Sequence, residues 1–293
     1  MKGRAEFSDA RILAAGDVSH TIFKFQQAGH CSFSDRRLSY NATFVHSAER
    51  GWRDNLLSST PRSAPRVLGG DPRYGEVRLR PEIVRIHEEN PEASLVSYVA
   101  EKIRAGVVVG MPTDTFYGLA ADPFNLHAVD RVYEIKTRSR HKPLSLLIES
   151  VDQASELAWP VPETFFLLAR RFWPGPLTII VKADPKLPLK VTANTGNVAL
   201  RVPAAQVPLA IVKAFGQPIT ATSANLHGAS ECTTAHEVRD QLGDCLPLIV
   251  DGGESPRDMP STIVDLTSED GSWRLLRRGA IPAEQIVELL GQE

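Results

Sequence analysis

The sequence predicts an α/β fold, in which helices cover the faces of a β-sheet. Three observations support this class. The chain of 293 residues is 42% hydrophobic, which is enough to bury a sizeable core. Short β-branched runs alternate with segments of helical periodicity between residues 92 and 290. One of these runs, residues 107–111, has the length and branching of a buried strand.

The chain divides into two regions of different character. Residues 1–80 hold 13 Lys and Arg against 8 Asp and Glu, and their stretch 58–73 is rich in Ser, Pro and Gly. We assign this N-terminal extension no fold, and three interpretations stay open: a disordered or loosely packed extension, a segment upstream of the real start, or a small functional module. Residues 81–293 carry the periodic pattern and are predicted to form the folded domain.

The helices and strands follow from their local patterns. A helix is expected from Pro91, with Gly106 as its C-terminal cap. A second helix fits residues 125–135, with Asn125 as N-cap and an apolar face that begins at Leu126. Further helices are predicted at 151–158, 162–172, 207–215, 234–242 and 282–290, and strands at 144–148, 177–181, 198–202, 218–221, 246–250, 262–266 and 273–277.

A polar turn follows the strand at residues 107–111. Thr113, Thr115 and Tyr117 contribute hydroxyl groups, Asp114 contributes a carboxylate, and Gly118 ends the turn. Such a turn can direct several hydrogen-bonding groups at one small polar ligand.

A cluster of cations follows the second helix. Lys136, Arg138, Arg140 and Lys142 supply four fixed cations within seven residues, and Pro143 then starts another apolar run. Cations held between two buried elements indicate an anionic ligand, most simply a phosphate chain.

Two later strands carry polar residues that need a partner. Arg201 interrupts an apolar run and requires either an internal ion pair or an anionic ligand. The strand at 218–221 leads into Thr222, Ser223 and Asn225, a second hydroxyl-rich strand end. These three residues serve either a ligand or the capping of a turn.

Taken together, these motifs resemble the signature of the YrdC/Sua5 family, the threonylcarbamoyl-AMP synthases. The resemblance implies a YrdC-like twisted mixed sheet, flanked by helices around a central concave cavity, with residues 81–293 as the catalytic domain. Because the chain ends soon after L-R-R-G-A-I-P, we expect the short, TsaC-like type. The matching motifs, in the family's order, are P-T-D-T-F-Y-G-L at 112–119, K-T-R-S-R-H-K-P-L at 136–144, W-P-G-P-L-T at 173–178, S-A-N at 223–225 and S-T-I-V-D at 261–265.

The resemblance also implies residue roles. Lys136 and Arg138 would carry catalysis by neutralising the triphosphate, and the loop at 138–142 could act as a lid. No metal ligands are implied within the protein, and Mg²⁺ is expected only as the companion of ATP. The nucleotide contacts would be Lys136, Arg138, Lys142, Asn197, Thr222, Ser223, Asn225 and Arg277, and the threonine contacts Thr113, Thr115, Tyr117, Arg201 and Ser261.

The activity implied by the resemblance joins L-threonine, bicarbonate or CO₂, and ATP into threonylcarbamoyl-AMP and pyrophosphate. The carbamate oxygen attacks the α-phosphorus, so the site must neutralise charge more than supply an acid or a base. The product would pass to a second machinery that modifies adenosine 37 of tRNA, and weak direct binding of tRNA stays open. We expect a cytoplasmic protein, since the sequence has neither a secretory signal nor an apolar run of about 18 residues.

Two other hypotheses stay open. One is a carbamoyl-adenylating relative that uses carbamoyl phosphate, like the YrdC-like module of hydrogenase-maturation carbamoyltransferases. That module normally lies in a larger chain with zinc fingers, which three cysteines without metal spacing cannot form. The other is a non-enzymatic RNA-binding protein. The basic residues 1–80 favour it, whereas residues 81–293, with 20 Lys and Arg against 27 Asp and Glu, argue against it.

Overall fold

One mixed ten-stranded β-sheet organises the part of the chain that the computed structural model describes, residues 80–137, 142–256 and 259–291. The strands are β1 (Glu82–Arg85), β2 (Val109–Met111), β3 (Gly118–Ala120), β4 (Ser145–Leu147), β5 (Leu177–Lys182), β6 (Asn197–Arg201), β7 (Ile219–Ser223), β8 (Leu248–Asp251), β9 (Thr262–Asp265) and β10 (Arg274–Arg277). The helices are α1 (Ala93–Arg104), α2 (Leu126–Lys136), α3 (Val151–Leu157), α4 (Glu163–Phe172), α5 (Gln206–Phe215), α6 (Ala235–Leu242) and α7 (Ala283–Leu290).

This architecture confirms the predicted α/β class, and every predicted helix and strand is present. Two strands, β1 and β3, were not predicted from the sequence. In β1 only Val84 is buried, so the strand reads as a polar segment. In β3 the three residues are Gly, Leu and Ala, which lack the β-branched or aromatic side chains typical of strands. The expectations for residues 1–79 lie outside the described residues.

The strand order is β1-β8-β2-β3-β7-β4-β6-β5-β9-β10. The central strands β3 and β7 are antiparallel, and Gly118 pairs with Ser223 while Leu119 pairs with Thr222. This pairing brings the polar turn after β2 beside the polar end of β7. The two hydroxyl-rich strand ends therefore meet in the middle of the sheet, although about 100 residues separate them in the sequence.

The helices bury their apolar faces against the sheet. Helices α1 and α5 share one core, in which Val99, Ile103 and Ile211 are fully buried. Each such side chain contributes about 1.5–3 kcal/mol to stability relative to an exposed position. In α2 the Asn125 side chain accepts hydrogen bonds from the next turn, as predicted for an N-cap. The prediction for Leu126 is wrong, because the buried face of α2 begins only at Ala128, and Leu126 is exposed.

Within the described ranges, no helix combines the length and the hydropathy needed to cross a lipid bilayer.

Candidate functional site

A cavity of about 330 Å³ lies on one face of the sheet. Alternate residues of β4, β5 and β6 form its wall, as expected when one face of each strand points the same way. The polar turn after β2 and the end of β7 form a further part of the lining. The structure thus brings together eight of the predicted site residues as cavity lining: Thr113, Thr115, Tyr117, Arg201, Thr222, Ser223, Ser261 and Arg277.

Four cavity-lining side chains form a row across neighbouring strands. Leu147 on β4 pairs with Arg201 on β6, and Thr178 on β5 pairs with Ile263 on β9. The β5–β6 register, in which Ile179 pairs with Leu200, places Thr178 opposite Arg201. Adjacent strands lie about 4.8 Å apart, so the backbones of Arg201 and Thr178 are neighbours, and both side chains line the same cavity.

Arg201 is buried, and three neighbours orient it. Its Nε donates to the Gly175 carbonyl oxygen at 3.0 Å, and its Nη1 donates to Thr115 Oγ1 at 3.2 Å. Its Nη2 lies 2.7 Å from Asp114 Oδ2. The N–H bonds of Nη2 do not point at that oxygen, so the contact is an ion pair rather than a hydrogen bond. The internal ion pair that the sequence left open is therefore present, and a guanidinium with five N–H groups retains donors for an anion in the cavity.

Thr113 and Thr115 have little hydrogen-bonding capacity left. The Thr113 hydroxyl donates to the Phe116 carbonyl oxygen at 2.7 Å, which uses its single proton. Because Thr113 and Thr115 Oγ1 lie 3.1 Å apart, Thr115 must then be the donor between them. Thr113 Oγ1 also accepts from the Thr115 backbone N–H at 3.1 Å, so both of its lone pairs are used, and neither threonine has an unused O–H group.

Tyr117 contributes to the cavity without its hydroxyl. The hydroxyl donates to the Gly253 carbonyl oxygen at 2.6 Å, and the side chain is fully buried. Burial raises the pKa of this phenol well above its ordinary value, and the negative charge of Asp251 adds to that rise. A threonine contact through the Tyr117 hydroxyl does not fit this arrangement, whereas the predicted contact through the rest of this cavity-lining side chain stays a prediction.

Ser261 links Arg277 to Thr178. The Arg277 guanidinium donates from Nη2 to Ser261 Oγ at 2.7 Å and from Nε to the Ser261 carbonyl oxygen at 2.9 Å. Ser261 Oγ lies 2.9 Å from Thr178 Oγ1. Arg277 as a whole is exposed, so it stands at the mouth of the cavity. Partial desolvation of its guanidinium lowers the Arg277 pKa, and the neighbouring Glu231 carboxylate opposes this shift.

Lys136 lies beneath the cavity lining rather than in it. Its ammonium contacts Asn225 Oδ1 at 2.6 Å and the carbonyl oxygens of Ser223 and Asn225 at 2.7 and 2.8 Å. Asn225 in turn donates to the Ala229 carbonyl oxygen. A buried ammonium requires such oxygen partners, because it has left water. Lys136 and Asn225 therefore hold the end of β7 in place. Neither is among the cavity-lining residues, and their direct contact with the nucleotide stays a prediction.

The remaining predicted residues do not line the cavity or lie outside the described residues. Asn197 shares its face of β6 with Arg201, and its Oδ1 is buried without a hydrogen-bond partner among the described residues. Lys142 is exposed beside the cavity-lining Pro143. Arg138 and most of the predicted lid, residues 138–141, lie outside the described residues.

Sequence reasoning missed three residues at the site. Asp114 was noted in the turn but not linked to Arg201. Thr178 belongs to the motif W-P-G-P-L-T, for which no residue role was predicted, although a hydroxyl at the start of an apolar strand was a usable signal. Glu231 lines the cavity and lies in a loop without any motif. Next to it, burial raises the pKa of the Cys232 thiol to about 12, which makes this cysteine an unreactive core residue.

Comparisons with known proteins show which family the chain resembles. The family model for Sua5, YciO and YrdC, described as "Telomere recombination", matches residues 101–279. A threonylcarbamoyl-AMP synthase of Pyrococcus abyssi is 37% identical over 212 residues, covering 72% of this chain and 61% of the relative. One of Bacillus subtilis is 39% identical over 197 residues, covering 67% and 56%.

A solved structure is also similar. The crystal structure of P. abyssi Sua5 complexed with L-threonine has a TM-score of 0.69 and 37% identity, over 72% of this chain and 61% of that chain. The chain thus spans less than two thirds of the length of these relatives. The family match covers more than half of the chain, and both relatives exceed 30% identity over at least two thirds of it. The protein therefore belongs to the Sua5/YciO/YrdC family.

Proposed function

We propose that the protein condenses L-threonine, bicarbonate or CO₂, and ATP into L-threonylcarbamoyl-AMP and pyrophosphate. The observation that carries this proposal is the placement of two guanidinium groups, Arg201 and Arg277, in one cavity with hydroxyl groups between them. The names of the P. abyssi and B. subtilis relatives support the activity, and the complex of P. abyssi Sua5 with L-threonine supports the amino acid.

The two guanidinium groups suit different parts of the substrates. Arg201 is buried and held by three neighbours, and it would bind the threonine carboxylate, since a guanidinium matches a carboxylate with two parallel N–H groups. Arg277 stands at the mouth of the cavity and would bind the phosphates of ATP, which can extend into solvent. Arg138 and Lys142 stay proposed phosphate contacts from the loop beside Pro143.

This charge arrangement fits the reaction. The carbamate oxygen forms a bond to the α-phosphorus while the bond from that phosphorus to the pyrophosphate oxygen breaks. Two anions must approach each other in this step, so fixed cations lower the barrier by offsetting their repulsion. Lys136 would support catalysis indirectly, because it fixes the backbone of Ser223 in the cavity lining.

Mg²⁺ is part of the proposal as the companion of ATP. The described residues contain no group of three His, Cys, Asp or Glu that could hold a metal by themselves. Glu231 is the one carboxylate among the described cavity-lining residues. It suits a Mg²⁺ ion that retains waters and is held by phosphate oxygens and one carboxylate. The ion would neutralise phosphate charge when bound.

The fate of the product belongs to the same proposal. A mixed anhydride of this kind hydrolyses readily in water, so it would be passed promptly to the machinery that modifies adenosine 37 of tRNA. Such a transfer would require a location in the cytoplasm, and weak direct contact with tRNA would assist it.

The decisive experiment measures pyrophosphate release from ATP with L-threonine and bicarbonate each present or omitted. We expect release only when both are present, together with a product of the mass of threonylcarbamoyl-AMP. Release with carbamoyl phosphate alone would assign the chain to the carbamoyl-adenylating branch. No release under any condition, together with strongly salt-dependent RNA binding, would favour a non-enzymatic RNA-binding protein.

A further inference from the structure

Thr178 and Ser261 form a pair of hydroxyl groups in the cavity wall. Their Oγ atoms lie 2.9 Å apart, and the two residues are 2% and 6% exposed. Both side chains line the cavity. Removing a pair of hydroxyl groups from water costs free energy unless both form hydrogen bonds. Each of their two protons should therefore have an acceptor, either in the protein or in a ligand.

The count leaves one O–H group for a ligand. Arg277 can only donate, so Ser261 Oγ accepts its hydrogen bond. Of the two hydroxyl protons in the pair, one lies between Ser261 and Thr178. The other has no acceptor within the described part of the chain. Thr113 and Thr115, on the opposite side of Arg201, have already used both of theirs.

The direction of the pair follows from its neighbours. A hydroxyl that accepts from a charged donor becomes a better donor itself, so Ser261 donates to Thr178. The unused proton is then that of Thr178. The strand register places Thr178 next to Arg201 on one side and Ile263 on the other. The backbones of Thr178 and Arg201 therefore lie roughly 5 Å apart, and both side chains line the same cavity.

We propose that Thr178 is a specificity-determining residue, whose hydroxyl forms a hydrogen bond with the β-hydroxyl of the amino-acid substrate. With its carboxylate on Arg201, an L-amino acid would extend its side chain toward Thr178. A β-hydroxyl would accept the Thr178 proton, and a neighbouring methyl group would contact Ile263. The inference deepens the proposed function and rests on its assignment of L-threonine to this cavity.

The test compares L-threonine with L-2-aminobutyrate, which lacks only the hydroxyl. Isothermal calorimetry on the full chain gives the ratio of the two dissociation constants, and pyrophosphate release gives the ratio of kcat/KM. In the wild-type protein both ratios should favour L-threonine by about tenfold, the effect of one buried hydrogen bond. Thr178→Val should bring both ratios close to one, mainly by weakening L-threonine, whereas Thr178→Ser should keep them.

Two further variants complete the design. Thr178→Ala also lacks the hydroxyl and should match Thr178→Val, which covers a failure of the valine variant to fold. Thr220→Val is the matched control, because Thr220 is a fully buried strand threonine whose hydroxyl donates to Leu119 and which does not line the cavity. Its ratios should equal those of the wild type.

The outcomes separate the two proposals. Wild-type ratios in Thr178→Val or Thr178→Ala would overturn the inference, as would a wild-type protein that binds both amino acids equally or binds neither. If the wild type prefers L-threonine in calorimetry, loses that preference in Thr178→Val, and yet releases no pyrophosphate, the inference stands and the proposed activity fails.

Discussion

The Asp114 carboxylate lies 2.7 Å from the Arg201 guanidinium, and the two side chains are only 13% and 8% exposed. This pair joins the turn after β2 to β6. We predict that Asp114→Asn lowers the free energy of unfolding by about 3 kcal/mol, because it leaves the Arg201 charge buried without its counter-ion. Urea denaturation measures this difference.

The surface pair Arg239 and Asp240 provides a matched control. Its atoms lie 2.9 Å apart, but the side chains are 43% and 67% exposed. Solvent screens such a pair, so Asp240→Asn should leave the unfolding curve unchanged. Equal effects of the two substitutions would contradict the importance of burial at Asp114.

Arg277 and Arg278 are adjacent, yet only Arg277 lines the cavity. Arg277→Ala should reduce kcat/KM for ATP about a hundredfold, since it removes a charge-assisted donor to the phosphates. Arg278→Ala should retain the wild-type value. Steady-state pyrophosphate release measures kcat/KM, and circular dichroism verifies that both variants are folded. An Arg277→Ala protein with wild-type activity would contradict the assignment of Arg277 to the phosphates.

Lys136 is expected to act mainly through stability. Lys136→Ala removes the donor shared by Ser223 and Asn225, and we expect a loss of about 3 kcal/mol in the free energy of unfolding. The exposed Lys142 offers the comparison, because Lys142→Ala should not change stability. If Lys136→Ala were fully stable but inactive, the result would instead indicate that the Lys136 ammonium binds the substrate directly.

Tyr117→Phe separates a structural role from substrate binding. Loss of the hydroxyl leaves the Gly253 carbonyl oxygen without its donor and should cost about 1–2 kcal/mol of stability. The KM for L-threonine should not change, because this hydroxyl does not reach the cavity. An increase in KM without a loss of stability would restore the threonine contact predicted from the sequence.

The thiol of Cys232 makes stability depend on pH. Its pKa is raised by burial from 9.0 to about 12, so the folded state holds the proton more tightly than the unfolded state. The stabilising effect is complete below pH 9 and is lost as the pH rises toward 12. Cys232→Ala should therefore show a smaller fall in the free energy of unfolding between pH 8 and pH 10.5, by at most about 1.4 kcal/mol per pH unit. If the free energy of unfolding fell equally with pH in the wild type and in Cys232→Ala, the prediction would be contradicted.

Much of this structure is predictable from local sequence patterns. Asn125 caps α2 as expected, and the hydroxyl-rich strand ends at Thr113 and Thr222 do line one cavity. A local pattern shows the spacing of the apolar residues and the residues that favour helix caps and turns. These features determine where helices and strands begin and end.

The contacts at the site that local patterns did not reveal join distant parts of the chain. Lys136 appeared to belong with the cations that follow it, but its partner Asn225 lies 89 residues away. The pairing of Thr178 with Ser261 spans 83 residues. Such contacts depend on strand order and register, which a single sequence does not reveal.

The strand order also bears on how the protein folds. Arg201 meets Thr115 across 86 residues, and the cavity wall requires β4, β5, β6, β7 and β9 together. Contacts of such long range form slowly, because the chain must close large loops before they stabilise it. During synthesis, ligand binding in this cavity must therefore await the emergence of Arg277, and binding of the proposed substrates would report that these strands and β10 have assembled.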